Sequence, residues 1–554
     1  MSRVLEIVLC LSLDAWQVKS GSRARGEPRD FGTELVRAWR ICPQVRMRRG
    51  HERVTIEPCQ VEEAEPSPGE CWWTWIESNA QGRRVVASRT KAFAPGVMAR
   101  ERFDAEHAGI AVATPPSAPA PRADAESAPA TGAGADTTPG PVDEAAVAAS
   151  SGPAPLRLVT ERRRGRWADD SGVVVEMTLD DVTLHGGAEL PRRQVELRLA
   201  APDWETVPAR TAALRALFAA ARELSGAWPA FVQLTSVIDR ACAGEPGVTG
   251  PVKAKIVDLT GIRTQRTALF ALSGDIAAQW LGNEGGVLDR DDPEFVHQMR
   301  VALRRLRTLM RFFPRFAGDQ WQETFGVDLR WLASLLGTVR DWDVFSTESL
   351  PALIAADGGS ADWNGTLDAA RAQATAARTE LRQALHSARY ARLTLGWLEW
   401  LSTLALPPAA GDEDAPSLRR HATKRVRRLF GHLYASPALT SLDTAARHQV
   451  RIDAKRLRYA LEFFASLASR RTRNETVKTL ARVQSVLGEA NDTMVAQHHL
   501  EQLAAPAYQL GFVRGYGAAL EQRAARGARR RGAACEPAPA EARRQAALSG
   551  ARSL

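Results

Sequence analysis

An internal repeat constrains this chain more than any other feature. His297-Gln298-Met299-Arg300 returns as His448-Gln449-Val450-Arg451, an offset of 448 − 297 = 151 residues. With no gap, the same offset pairs Arg305 with Arg456, Leu306 with Leu457, Arg307 with Arg458, and Phe312-Phe313 with Phe463-Phe464. Farther on it pairs Ser334 with Ser485, Leu336-Gly337 with Leu487-Gly488, Asp341 with Asp492 and Val344 with Val495. Agreement over two successive helical stretches predicts two similar helical bundles about a pseudo-two-fold, each presenting the same helix to a shared surface.

On a helix turning ~100° per residue, His297, Arg300, Arg304, Arg307 and Arg311 form one stripe, and Met299, Leu303, Leu306, Met310 and Phe313 form another. The second copy repeats the cationic stripe with His448, Arg451, Lys455 and Arg458, and the apolar one with Val450, Ala454, Leu457, Leu461 and Phe464. Glu462 stands where the first copy has Arg311. The first stripe is about 21 Å long at a rise of ~1.5 Å per residue. Like charges three or four residues apart repel, a penalty that a bound polyanion would relieve. Guanidinium forks match phosphate oxygens two at a time, and a histidine beside such a ligand gains a proton more easily, so binding is expected to strengthen at mildly acid pH. The alternative is a pair of solvated faces neutralised by carboxylates from neighbouring helices; the constant offset weighs against it.

A third basic run, residues 419–428, holds Arg420, Lys424 and Arg428 and either extends the same surface or forms a solvated face of its own. Asp341, Asp343 and Asp492 are candidate metal ligands, but carboxylates after a Leu-Gly step among arginines are expected to form internal salt bridges instead.

The rest of the chain is less periodic. At 554 residues it exceeds what one core usually serves, so two or three domains are expected. A net charge of +9 favours acidic partners. Six scattered cysteines without a C-x-x-C pair argue against a disulfide framework and fit a reducing cytosol. Val4–Leu13 is apolar, but Glu6 and Asp14 interrupt or bound it, and it reads as a strand rather than a leader. No run approaches the ~20 apolar residues of a membrane-spanning helix. Residues 15–105 show no clean periodicity beyond a strand-like Cys71-Trp72-Trp73-Thr74-Trp75. Residues 113–155, rich in Ala, Pro, Gly, Ser and Thr, cannot bury enough to offset the entropy of ordering and are expected to be a flexible insert. Val173–Leu179 and Gln194–Leu199 alternate as antiparallel strands around a Gly186-Gly187 turn, and Thr206–Leu224 reads as a helix. Gly244–Gly250 is a hinge, and everything readable beyond it is helical until a basic tail begins near residue 523.

Three segments carry a resemblance to a known family. They are Glu294 through Arg307, Leu336-Gly337-Thr338-Val339-Arg340-Asp341-Trp342-Asp343-Val344, and Ala454 through Glu462. They resemble the CHAD family, histidine-bearing helical domains that bind inorganic polyphosphate. The resemblance covers about 253–522 and implies two four-helix bundles, about 253–407 and 417–522, around a basic cleft. Leu5–Leu13 and Val173–Ala241 resemble parts of the CYTH barrel, a tunnel that holds triphosphates with basic residues and Mg²⁺ or Mn²⁺ with inward glutamates. Here Glu6-Ile7-Val8-Leu9-Cys10 stands in place of that family's Glu-x-Glu-x-Lys, Gln194 and Arg198 flank a single Glu196, Ser236-Val237 replaces its Ser-Lys step, and its middle strands are not legible in residues 22–95.

The expected fold is therefore α+β: a partial antiparallel CYTH-like barrel over 1–242, an all-α CHAD region over 253–522, and a disordered tail over 523–554. The leading functional expectation is non-catalytic binding of polyphosphate in the cytoplasm, on polyphosphate granules, through His297, Arg300, Arg304, Arg307, Arg311, His448, Arg451, Lys455, Arg458, Arg420, Lys424 and Arg428, with no cofactor required. The alternative is a metal-dependent triphosphatase using Mg²⁺ or Mn²⁺ at Glu176 and Glu196; together with Asp180, Arg162 and Arg164 these residues would bind phosphate or a cation weakly, and a remnant sheet kept for stability is the reading preferred for them. Nonspecific nucleic-acid binding is a third possibility, disfavoured because no aromatic groups interleave the stripe.

Overall fold

A computed structural model describes residues 2–13, 31–59, 70–104, 156–186, 193–244, 250–408, 417–435, 444–467 and 494–532. The insert at 113–155, most of the Gly244–Gly250 hinge, and the repeat positions Ser485, Leu487, Gly488 and Asp492 lie outside them.

The N-terminal half is built on antiparallel strands: β1 (Ser2–Leu11), β2 (Val45–Met47), β3 (Glu52–Cys59), β4 (Glu70–Asn79), β5 (Gly82–Ala94), β6 (Val97–Asp104), β7 (Arg157–Ala168), β8 (Val174–His185) and β9 (Arg193–Pro202). Pairing runs β1-β6-β5-β4-β3-β7-β8-β9 and returns to β1, so these eight strands close into a barrel. Closure corrects the expectation of a partial barrel. β1 makes it possible by pairing β9 along Val4–Leu11 while its first half pairs β6 and its second half pairs the short β10 (Ala230–Gln233). The middle strands are β3 to β6, of which the sequence reading showed only the strand-like Cys71–Trp75 part of β4. Their alternation is hidden because both faces are mixed: along β5, Val86 sits in an apolar cluster inside the barrel, whereas Ser88 and Thr90 on the same face are buried polar groups.

Inside and outside exchange their usual roles on one side of the barrel. Leu5, Ile7, Leu9 and Leu11 of β1 and Val195, Leu197, Leu199 and Ala201 of β9 face outward into the main core. That wall is covered by α1 (Phe31–Ala38) and α2 (Val207–Ala227), while the lumen keeps Glu6, Glu196 and Arg198. A six-residue helix, α3 (Val237–Cys242), packs on β3 and β4, with Val237, Ile238 and Ala241 joining Val54, Ile56, Trp75 and Leu184.

The helical half comprises α4 (Gln265–Leu281), α5 (Glu284–Asp289), α6 (Pro293–Phe312), α7 (Asp319–Val344), α8 (Leu350–Asp357), α9 (Asn364–Leu385), α10 (Ala388–Ala405), α11 (Leu418–Ala435), α12 (Thr444–Phe463), the helical residues 494–502, and α13 (Ala507–Gly532). Caps fit the sequence: Asp292 accepts from Glu294 N at 2.8 Å at the start of α6, where Pro293 occupies the first turn. The last helix runs to Gly532, ten positions into the stretch expected to be a disordered tail from 523; Ala and Arg, both strong helix formers, carry it.

The Gly/Pro hinge does not separate two cores. α10 packs on α2, Phe231 of β10 meets the rings of His386 and Tyr390, and Arg222 pairs with Glu399 across the seam. Gly96, at φ +75°, lies close enough to Leu398 that an added Cβ would meet its side chain at 3.2 Å. Residues of β1, β9, α2, α4, α6 and α10 thus belong to one continuous apolar cluster.

Buried within the helical part of that cluster is a polar chain. Trp280 donates to Tyr390 Oη at 2.9 Å, and Tyr390 donates to Glu284, whose second carboxyl oxygen has no partner. Burial pushes the Glu284 carboxyl up from 4.5 to about 8. The folded chain therefore keeps a proton that the unfolded chain has already released. The resulting stabilisation is complete below about pH 4.5 and is lost as pH rises toward about 8. Glu284→Gln keeps the shape and removes the titration, so thermal melts between pH 5 and 8 are expected to lose much of their downward slope; a slope unchanged from the parent would refute this assignment.

Candidate functional site

α6 and α12, the two copies of the repeated helix, pack against each other. The contact is apolar at one end, where Phe312 meets Phe463 and Phe464 edge-on at centroid distances of 6.2 Å. Above it the cationic stripes converge. The guanidiniums of Arg304 on α6 and Arg458 on α12 lie 5.5 and 5.4 Å from the centroid of the same ring, Tyr459. Arg311 is held below its ordinary pKa by partial burial, by Arg456 of the opposite helix and by Arg307. The two stripes therefore share a groove rather than facing apart.

Neutralisation is partial. Arg300 donates to Asp341 at 3.2 Å, and Arg458 lies 3.3 Å from Glu462, the carboxylate in Arg311's place. Among the described residues, Arg304, Arg307 and Arg311 form no ion pair with a carboxylate, and Arg307 and Arg311 are exposed. Burial and the nearby Arg340, Arg304 and Arg300 depress His297, outweighing Glu294, so the free protein holds this imidazole neutral more readily than usual. Lys455 lies on the same helix as Arg458 and is half-buried, while the side chains of His448 and Arg451 lie outside the described residues. Arg420 and Lys424 line a groove of their own on α11 with Arg419 and Arg427; Arg428 is exposed on that helix. α11 itself packs on α12, and its His421 donates through Nε2 to the Phe312 carbonyl of α6 at 2.7 Å.

The repeat's Leu-Gly-x-x-x-Asp spacing has a local explanation. A Cβ on Gly337 would sit 3.0 Å from Arg300 Nη1, so glycine leaves the passage through which Arg300 reaches Asp341 one turn farther along α7. The other candidate metal ligand, Asp343, is buried and accepts from Arg378 at 2.9 Å through both oxygens. Sequence reasoning did not single out Arg340, Arg456 or Tyr459 as site residues. All three stand within the quoted motif segments, but Tyr459 belongs to no stripe by residue type, and only its ring faces reveal its place. Its position corrects the expectation that no aromatic group interleaves the basic stripe, although the ring is 2% exposed and covered by guanidiniums rather than open to a base.

The barrel lumen is filled differently. Arg162 donates to Asp180 at 2.7 Å and to Glu77 at 3.2 Å, Arg198 donates to Asp180 at 2.6 Å, and Arg100 binds Glu6 and Asp239, each at 3.0 Å. Burial opposes ionisation of these carboxylates, but Arg162 and Arg84 hold Glu77 down to about 2, and Arg162 and Arg198 keep Asp180 well below the usual range. Glu196 accepts from Val237 N at 2.7 Å and Gln194 at 3.0 Å, and burial raises it to about 7. Glu176 is exposed and opposes Ala200, whereas Glu196 opposes Asp180 four positions away, about 13 Å at ~3.3 Å per residue. The structure thus does not bring Glu176 and Glu196 together, and among the described residues no group of three His, Cys, Asp or Glu could hold a metal ion. Arg164 pairs with Glu52 at 2.8 Å rather than lying ready for phosphate. Carboxylates committed to guanidiniums make poor ligands for Mg²⁺ or Mn²⁺.

Removing one member of such a buried set strands the others. Arg162→Met is expected to lower unfolding free energy by about 3 to 5 kcal/mol, read from urea denaturation; a loss within experimental error would mean that water already reaches these carboxylates.

Two Mycobacterium tuberculosis proteins, both described as uncharacterized, are 32% identical over 240 residues, covering 40% of this chain and 42% of each relative. The chain thus matches less than half of the length of these curated relatives. The crystal structure of the CHAD domain from the plant Ricinus communis is 30% identical, covers 55% of this chain and 98% of its own, and superposes with a TM-score of 0.42. PptA from Streptomyces chartreusis is 22% identical, covers 48% and 96% respectively, and gives a TM-score of 0.34. The family model for the CHAD domain matches residues 273–501, the span containing α6, α7 and α12. This chain carries a CHAD domain at residues 273–501, following a closed antiparallel β-barrel.

Proposed function

We propose that the chain binds inorganic polyphosphate in the groove between α6 and α12, without turning it over, and so places itself or an attached partner on that polymer in the cytoplasm. The observation that carries this reading is the convergence of Arg304 and Arg458 on one ring, with Arg304, Arg307 and Arg311 lacking carboxylate partners among the described residues. Cationic groups from two helices, spaced along a track, suit a flexible phosphate chain that presents charge on every unit. The domain's family membership supports a phosphate-chain ligand in general. The buried Tyr459 face offers no platform for a nucleobase, which favours polyphosphate over single-stranded nucleic acid. Neither helix of the pair, nor any other described helix, is long and apolar enough to cross a membrane.

The test is a titration of long-chain polyphosphate onto the full chain, followed by anisotropy at several salt concentrations. Arg304→Ala with Arg307→Ala and Arg311→Ala is expected to flatten the slope of log affinity against log salt by about 2, taking roughly 0.7 per lost contact as for other flexible polyanions. Equal slopes, or a preference for duplex DNA over polyphosphate at fixed salt, would remove the proposal.

Protonation supplies a second check. A bound polyanion raises the His297 pKa from its depressed free value, so binding takes up a proton and tightens as pH falls through the region below 6.5. His297→Gln is expected to reduce the difference in affinity between pH 7.5 and 5.5, while leaving affinity at pH 7.5 near that of the parent.

A further inference from the structure

A second cationic cavity lies on the outer wall of the barrel, remote in sequence and structure from the repeated helices. It occupies about 450 Å³ between α1, the single turn Trp39–Ile41 that follows it, and the strand β2 with its exit at Arg48-Arg49-Gly50. Six arginines line it: Arg37, Arg40, Arg46, Arg48, Arg49 and Arg163. Among the described residues, no acidic one does. Arg163 belongs to the outward set of β7, since its neighbour Arg162 turns inward to Asp180, so this cavity and the lumen lie on opposite faces of one strand.

Three of the arginines have local duties. Arg37 pairs with Glu34 at 3.0 Å, Arg46 donates to the carbonyls of Pro43 and Val45 at 2.6 and 2.9 Å, and Arg163 donates to Thr33 at 3.3 Å. Among the described residues, Arg40, Arg48 and Arg49 have no carboxylate partner, and all three are exposed. A second observation is independent of them. Trp39, also lining the cavity, is 1% exposed, and its indole N–H has no acceptor. A buried donor without a partner costs about 1 to 3 kcal/mol, and here it accompanies a wall made of donors. Such a wall fits a group that only accepts hydrogen bonds and carries more than one negative charge.

We infer that this cavity is a binding site for a phosphate group bearing two negative charges, either the terminus of a soluble phosphate compound or the headgroup of an anionic lipid. Forked guanidiniums from Arg40, Arg48 and Arg49 take its outer oxygens, and the Trp39 N–H supplies a donor from the floor. The bend that aims the last two arginines uses Gly50, whose φ of +85° is a conformation that other residues seldom adopt. Ile41, 78% exposed at the rim, places an apolar side chain where a lipid surface would accept it, so the two sources differ in what they bury.

Hydrogen–deuterium exchange of the full chain separates them and isolates this cavity from the groove between α6 and α12. Peptides covering residues 37–50 are followed with pyrophosphate, and with phosphatidylcholine vesicles with or without phosphatidic acid. Slowed exchange with pyrophosphate assigns the site to a soluble phosphate; slowed exchange only with the phosphatidic acid vesicles assigns it to a lipid headgroup. In either case Arg40→Ser with Arg48→Ser and Arg49→Ser is expected to weaken protection by roughly tenfold or more in ligand concentration, and Trp39→Phe to weaken it less. The triple alanine variant of Arg304, Arg307 and Arg311 leaves protection of 37–50 intact, so failure of the polyphosphate reading does not touch this one. Absence of protection by either probe, or protection unaltered in the triple serine variant, overturns the inference.

Discussion

Like charges held close together are the constraint around which the helical half is organised. Two helices that each carry a row of cations would separate if only their upper faces mattered. They stay together because the opposite side of each is apolar: Leu306, Leu309 and Phe313 on the first copy and Leu457, Leu461 and Phe464 on the second are buried in the common core. Burying several such side chains at about 1.5 to 3 kcal/mol each outweighs repulsions of a few tenths of a kcal/mol between exposed cations. The hydrophobic term therefore holds an electrostatic conflict in place, and the conflict is what makes the groove attractive to an anion.

The barrel resolves the same conflict in another way. The lumen arginines Arg100, Arg162 and Arg198 each meet a carboxylate within the wall: Asp180 lies between Arg162 and Arg198, and Arg100 bridges Glu6 and Asp239. A charge satisfied inside the fold has little left to offer a ligand. The contrast between the lumen and the α6–α12 groove, rather than the total of +9, decides where an anion is favoured.

The helical repeat was legible because helices write their environment locally. Three or four residues separate neighbours on one face, so His297 to Arg311 declared a stripe and Met299 to Phe313 declared a core without any knowledge of the partner. Beyond the strand-like Cys71–Trp75 part of β4, the strands β3 to β6 were not legible for a related reason. Their neighbours are set by pairing across the barrel, and Glu77 looks like a solvated residue until Arg162, from a strand some eighty positions later, is seen to hold it. The same limit applies to Tyr459 and to the cavity at Arg40 and Arg48: each depends on groups brought together by the fold, and residue type alone does not announce them. The reading of Glu176 and Glu196 as a joint metal site failed because alternation identifies the face of a strand but not the distance along it.

The seam between α2 and α10 carries a mechanical consequence. Phe231, Tyr390 and Leu398 lock the wall of the barrel to the helices, and Arg222 with Glu399 ties the edge. A force acting on α6 is transmitted through the apolar cluster it shares with α4 and α10 to the strands β1 and β9. The barrel thus behaves as a rigid handle, and whatever is fastened to its outer surface is carried at a fixed orientation to the helices.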